Sequence, residues 1–143
     1  MEIEGYLFPD ELYYHKEHFW ARVEGEDTIV IGTNDFAQKL AGQIVYVEMP
    51  PVGKVVEQGK PCGSMESGKW VGRIYAPVSG KVKSANQELE DNPELINESP
   101  YEKGWICKIS PSNLQEELKN LLRGESLVDH IKAEIDRVKK MKK

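Results

Sequence analysis

No stretch of this chain approaches the roughly 18 consecutive apolar residues that a membrane-spanning helix needs. The opening residues, MEIEGYLFPDELYY, also lack the basic start and apolar run of a signal peptide and the arginines of a transit peptide. These absences set the expectation of a soluble, cytoplasmic protein. Cysteine is scarce as well, because Cys62 and Cys107 are the only two in 143 residues and each sits in an apolar stretch. Two such residues exclude a disulfide framework and are expected as buried, reduced thiols. Positive charge is in deficit, with 19 Lys and Arg against 24 Asp and Glu for a net charge of −5. That balance removes any general attraction to nucleic acid. Only the C-terminal end runs the other way: Lys132, Arg137, Lys139, Lys140, Lys142 and Lys143 stand against Glu134 and Asp136. Such an end reads as a solvated helix terminus, the other option being contact with an acidic partner or an anionic surface.

What is present fits one domain with a real core, since a chain of this length buries roughly two-thirds of its unfolded surface. Residues 19–32, FWARVEGEDTIVIG, alternate as a hairpin with Trp20, Arg22 and Glu24 on one arm, Ile29 and Ile31 on the other, and Gly25-Glu26-Asp27 as the turn. NDFAQKLAG then reads as a short helix, capped by Asp35 with Gln38 three residues on, carrying Phe36 and Leu40 on one face and ending at Gly42. From Gln43 to Ile109 the chain is cut by Gly and Pro into short strands, which predicts a small sandwich or barrel. A repeat supports this. Gly53-Lys54-Val55 and Gly80-Lys81-Val82 each follow a Pro-Val pair, and the two Gly-Lys pairs are 27 residues apart. Their midpoint falls at residues 66–67, so two similar β-units joined by a hairpin are expected, with Lys69 near its tip. LEDNPELINESPY interrupts the sheet as a loop or a turn of helix. Two helices then close the chain, the first capped by Ser112 with a stripe of Leu114, Leu118, Leu121 and Leu122, the second starting at Ser126 with Leu127, Ile131, Ile135 and Val138. The second stripe is expected to pack on the β-body.

Several motifs compete to explain the segment GSMESGKW. It matches the phosphate-binding pattern G-x-x-x-x-G-K-[ST] except that Trp70 takes the place of the hydroxyl, and an extended segment ending at Pro77 follows where a helix is required. His15 and His18 form His-x-x-His, but in an aromatic loop entering a strand, and Cys62 and Cys107 have no paired ligand spacing, so no metal ligand set is expected. No Ser/His/Asp or carboxylate pair marks a catalyst. That leaves Lys69, either as a solvated turn lysine or as the anchor of a prosthetic group. A long amine on a hairpin tip, with Gly68 and Gly72 relaxing the backbone around it, suits the second role.

The blocks YHKEHFWARVEG, DFAQKLAGQIVYVEMPPVG, MESGKW, IYAPVSGKV and NPELINESPYEKGWICKI resemble, in order and spacing, the glycine-cleavage-system H-protein family over about residues 13–123. The resemblance implies a mainly β, lipoyl/biotinyl-domain-like flattened β-barrel sandwich with C-terminal helices, as a carrier domain of residues 1–123 and a basic helical extension of residues 124–143. It implies a non-catalytic carrier with lipoic acid attached to Lys69, within the family's Glu-Ser-x-Lys hairpin, here Glu66-Ser67-Gly68-Lys69, where Glu66 assists the lipoylating enzyme. It implies as partners a pyridoxal-phosphate glycine decarboxylase, a folate-dependent aminomethyltransferase and dihydrolipoamide dehydrogenase, with methylamine as cargo. Two positions around the arm depart from the family. Phe19 stands where it has a glutamate, and Arg73 where it has an aspartate. Gly-Lys-Trp, ending at Trp70, is also similar to the hairpin of lipoate-binding carriers in heterodisulfide-reductase-like sulfur oxidation, which would make the cargo sulfur and the partners sulfur-oxidation enzymes. The reading from another class is an unmodified β-sandwich interaction module.

Overall fold

The computed structural model describes residues 1–141; Lys142 and Lys143 of the basic C-terminal end lie outside the described residues. A small ribbon of β1 (Glu2–Ile3) and β2 (Tyr6–Leu7) comes first, followed by β3 (Tyr13–Tyr14), β4 (Phe19–Val23) and β5 (Ile29–Thr33). Helix α1 (Asp35–Ala41) leads to β6 (Ile44–Glu48), β7 (Val55–Val56), β8 (Pro61–Ser67), β9 (Val71–Tyr75) and β10 (Gly80–Ala85). Two one-turn helices, α2 (Glu88–Asp91) and α3 (Leu95–Glu98), precede β11 (Cys107–Pro111), and α4 (Leu114–Leu118) and α5 (Gly124–Met141) follow it. The architecture is mainly β: a six-stranded sheet in the order β3-β4-β5-β11-β10-β7 and a three-stranded sheet β6-β8-β9, with antiparallel pairing throughout. No helix among the described residues is long and apolar enough to cross a membrane.

The repeat seen in the sequence is a physical pairing. Lys81 lies opposite Val55 and Gly80 opposite Val56, and the backbones of Val82 and Lys54, then of Ala76 and Lys60, continue the exchange. The two copies of Gly-Lys-Val therefore run antiparallel beside one another, and the chain between them rises into the β8–β9 hairpin. Gly63 lets that hairpin approach β6, since a Cβ there would sit 2.3 Å from the Glu48 carbonyl oxygen.

Burial alternates along β4 and β5 in a way that serves two cores. Phe19, Ala21, Ile29 and Ile31 face the interior shared with Val47, Met65, Ile74 and Ile109. Trp20 and Val30 point the other way, into a second cluster with Phe8, Tyr14, Phe36, Leu127, Ile131 and Ile135. The α5 stripe thus packs on the β-body as expected. Cys62 and Cys107 are free and buried, and burial pushes the Cys62 thiol up to about 11 and the Cys107 thiol higher still.

The helix caps differ from expectation. Asn34, not Asp35, caps α1, its side chain accepting from the Ala37 amide at 2.8 Å, while Asp35 accepts from the Gln38 side chain inside the first turn. Phe36 is buried, but Leu40 is exposed and does not share its environment. Ser112 does not cap α4, whose flanking residue is Asn113 with no side-chain cap bond. Helix α5 starts at Gly124, two residues before Ser126, because the Ser126 hydroxyl turns back to donate to the Arg123 carbonyl. The interrupting segment resolves into α2 and α3 rather than an open loop.

Candidate functional site

Lys69 occupies the middle of the three-residue connection Gly68-Lys69-Trp70 between β8 and β9. Two contacts hold this turn. The Ser67 amide donates to the Trp70 carbonyl at 2.8 Å, and the Ser67 hydroxyl oxygen accepts from the Lys69 amide at 3.3 Å. The turn closes with no left-handed residue at either Gly68 or Gly72. Gly68 faces open space, whereas Gly72 is required for room: a Cβ there would lie 2.0 Å from the Trp70 ring, which folds back flat over it. Glu66, Gly68, Lys69 and Trp70 are exposed while Ser67 is buried, so the motif presents its charged members outward from a fixed base.

The lysine stem leans on a neighbouring element. Gly42 ends α1 with φ +84, and a Cβ on it would come within 3.0 Å of the Lys69 Cε. The positive φ is what requires glycine at this cap, and the exposed lysine end lies over the bare Cα that results. Asn97 of α3 pins the region from below. Its Nδ2 donates to the Gly42 carbonyl at 2.8 Å and to the Gln38 side chain at 3.1 Å, and its Oδ1 accepts from the Ile44 amide at 2.8 Å. Nothing local in the sequence marks Asn97, because its three partners lie more than 50 residues upstream.

Beside the hairpin opens a cleft of about 580 Å³. Its floor is apolar, built from Phe19, Ile44, Met65 and Ile96, with the Thr33 hydroxyl donating to the Met65 sulfur at 3.6 Å. One wall is α1, the second is the hairpin with Trp70, Arg73 and Tyr75, and the third combines Glu17 and His18 with Arg137, Val138 and Met141 of α5. The structure thus brings Phe19, Trp70 and Arg73 together in one cavity, which Lys69 itself does not line. Phe19 is almost wholly buried, with its ring centroid 6.4 Å from that of Tyr75. The cleft nonetheless holds a carboxylate, because Glu17 faces it from two residues upstream of Phe19. Arg73 is not the only guanidinium either. Arg137 lines the same cavity while chelating Glu134 at 2.8 and 3.2 Å. Sequence reasoning missed Glu17, which the turn at His15 and His18 presents, and Arg137, whose approach depends on where α5 docks.

The two histidines of His-x-x-His separate. His15 is buried in its own turn, its Nδ1 accepting from the Glu17 amide at 3.1 Å. His18 turns the opposite way with φ +75 and meets Glu134 of α5 at 3.0 Å. Burial lowers the affinity of both imidazoles for a proton.

Comparison with known proteins agrees with this architecture. The sequence profile of the family described as Glycine cleavage H-protein matches residues 12–134. The glycine cleavage system H protein of Anoxybacillus flavithermus is 54% identical over 117 residues, spanning 82% of this chain and 91% of that one. Its counterpart from a Geobacillus species is 50% identical over 124 residues, 87% of this chain and 96% of the relative. Among solved structures, a glycine cleavage system H protein from Mycobacterium marinum superposes with a TM-score of 0.71 at 28% identity, covering 78% of this chain and 97% of the other.

Proposed function

Since the chain belongs to the glycine cleavage H-protein family, we propose that Lys69 is the residue on which it carries a lipoyl group. The chain is a non-catalytic carrier component of the glycine cleavage system. What supports Lys69 is its placement: an exposed amine on a hairpin turn, free of ion pairs among the described residues, rooted between a strand end and the Gly42 cap. When amide-linked there, a lipoyl group supplies a ring disulfide that opens to a dithiol and so can take up and release cargo.

The remaining roles belong to this chain's own side chains. Glu66 presents a carboxylate beside the lysine, where the lipoylating enzyme reads it. Gly68 leaves that approach open on one side. Trp70 shields the root of the lysine and forms the cleft wall, while Phe19, Ile44 and Met65 exclude water from the cavity floor. Glu17 provides the negative partner that a cationic methylamine requires, and Arg73 opposes it. The exposed hairpin face is where the glycine decarboxylase, the aminomethyltransferase and dihydrolipoamide dehydrogenase must each gain access to the same lysine.

A second reading, a sulfur carrier, draws on Arg73 and Arg137, which favour an anionic cargo over an ammonium. The first test is the intact and peptide mass of protein from its native host, fragmented across Met65 to Arg73. A lipoyl adduct on Lys69 is expected; a bare lysine in fully processed protein would return the chain to an unmodified module. Loading the lipoylated protein with glycine and glycine decarboxylase then decides cargo. Acquisition of an aminomethyl adduct supports methylamine, and its absence where an ordinary relative loads supports sulfur.

A further inference from the structure

We infer that His18, His130 and Glu134 form a binding site for a divalent transition-metal ion of the zinc type. Their ligand atoms all lie within 4.8 Å of one another, and each residue is half-buried, neither sealed in the core nor fully solvated. His130 and Glu134 are four residues apart on α5 and so share one face of that helix. His18 reaches them from the loop before β4 through its left-handed backbone, which is held by hydrogen bonds from its amide to the His15 carbonyl and from the Asn34 amide to its own carbonyl. A non-glycine residue in that conformation is uncommon and persists where its surroundings enforce it.

The outer contacts of His130 and Glu134 match what metal ligands require. The His130 Nε2 lies 2.9 Å from the Lys16 carbonyl oxygen, which can only accept, so the proton belongs on Nε2 and the Nδ1 lone pair is left for an ion. On Glu134, Arg137 Nε holds Oε2 at 2.8 Å, while Oε1 faces His18 Nε2 at 3.0 Å. An ion bridging His18 Nε2, His130 Nδ1 and Glu134 Oε1 displaces the 3.0 Å hydrogen bond between His18 and Glu134 and the weaker 3.2 Å contact from Arg137 Nη2, and leaves the 2.8 Å contact from Arg137 Nε in place. The imidazole proton of His18 then shifts to Nδ1, a buried nitrogen that has no hydrogen-bond partner here, which limits the affinity.

Two nitrogens and one carboxylate oxygen suit zinc, cobalt, nickel or copper rather than magnesium or calcium, and three protein ligands leave one position open. Bonds near 2.0–2.1 Å put tetrahedral ligand atoms roughly 3.4 Å apart, so the side chains must close up slightly around the ion. Because His18 and Arg137 also line the cleft, the ion would tie α5 to the loop with which it shares one wall of that cavity.

The test uses the full chain with Lys69 unmodified. Cobalt(II) titration should give one-to-one binding with visible absorption of tetrahedral intensity, displaced by zinc, and zinc should raise Tm where magnesium does not. His130→Ala and Glu134→Gln, each compared by circular dichroism with the parent, should each weaken binding about tenfold or more. Absence of a saturable one-to-one site in the parent overturns the proposal, as does unchanged binding in both variants.

Discussion

Arg73 and Phe19 face one cleft with unequal freedom to change. Arg73 is exposed, so Arg73→Asp costs little stability and replaces a repelling charge with an attracting one. The expected outcome is faster or fuller aminomethyl loading by glycine decarboxylase, read by mass; unchanged loading would show that this charge does not reach the cargo. Phe19→Glu behaves otherwise. Its side chain is 3% exposed, so a carboxylate there is driven into an apolar site and should cost several kcal/mol, seen as a lower Tm, whatever it does for loading. The positions of Lys69, Glu66 and Ser67 were legible in the sequence because the motif is contiguous and its geometry is set by neighbours along the chain. Glu17, Arg137 and Asn97 were not, since each acts across a tertiary contact. The misplaced α1 cap has a local cause: Asn34 and Asp35 both offer a side-chain oxygen that can accept from a first-turn amide, and only the extended backbone at Asn34 decides between them.

Among the elements, α1 and the start of β6 depend on one side chain. Asn97→Ala removes the acceptor for the Ile44 amide and the donor to the Gly42 carbonyl, leaving partly buried groups unpaired. A loss of about 1–3 kcal/mol in denaturant unfolding is expected, with faster hydrogen exchange at Ile44. Retained protection there would mean that α3 is held without this residue. Strands were readable because Gly and Pro punctuate them and their faces alternate. Helix starts were less so: Ser126 has the residue type of a cap yet bonds backward to Arg123, which only the path of the preceding turn determines. The left-handed turn at His18 likewise leaves no mark in composition.

The whole molecule joins two apolar clusters through the shared strands β4 and β5, and its buried acids report on both. Tyr14 and Tyr101 in one cluster and Cys62 and Cys107 in the other all have their proton affinity raised, chiefly by burial. A raised folded value favours the protonated native state. The contribution is therefore complete below the unfolded values of 9.0 for cysteine and 10.0 for tyrosine, and is lost as pH rises past them. Tm should fall steadily above about pH 9, and native-state alkylation of Cys62 at pH 8 should be slow, becoming fast only on unfolding. A flat alkaline limb would sink the assignment. The two-sheet body and the paired repeats were foreseeable from turn spacing, and the packing of the α5 stripe from its helical period, but not that the stripe would cover Trp20 and Val30 on the outer face of β4 and β5. The seat of Lys69 on the Gly42 cap has a consequence for any group attached there. With the body closing off one side, such a group sweeps a hemisphere rather than a sphere, and the smaller search volume raises its effective concentration at every docking partner that approaches from the open side.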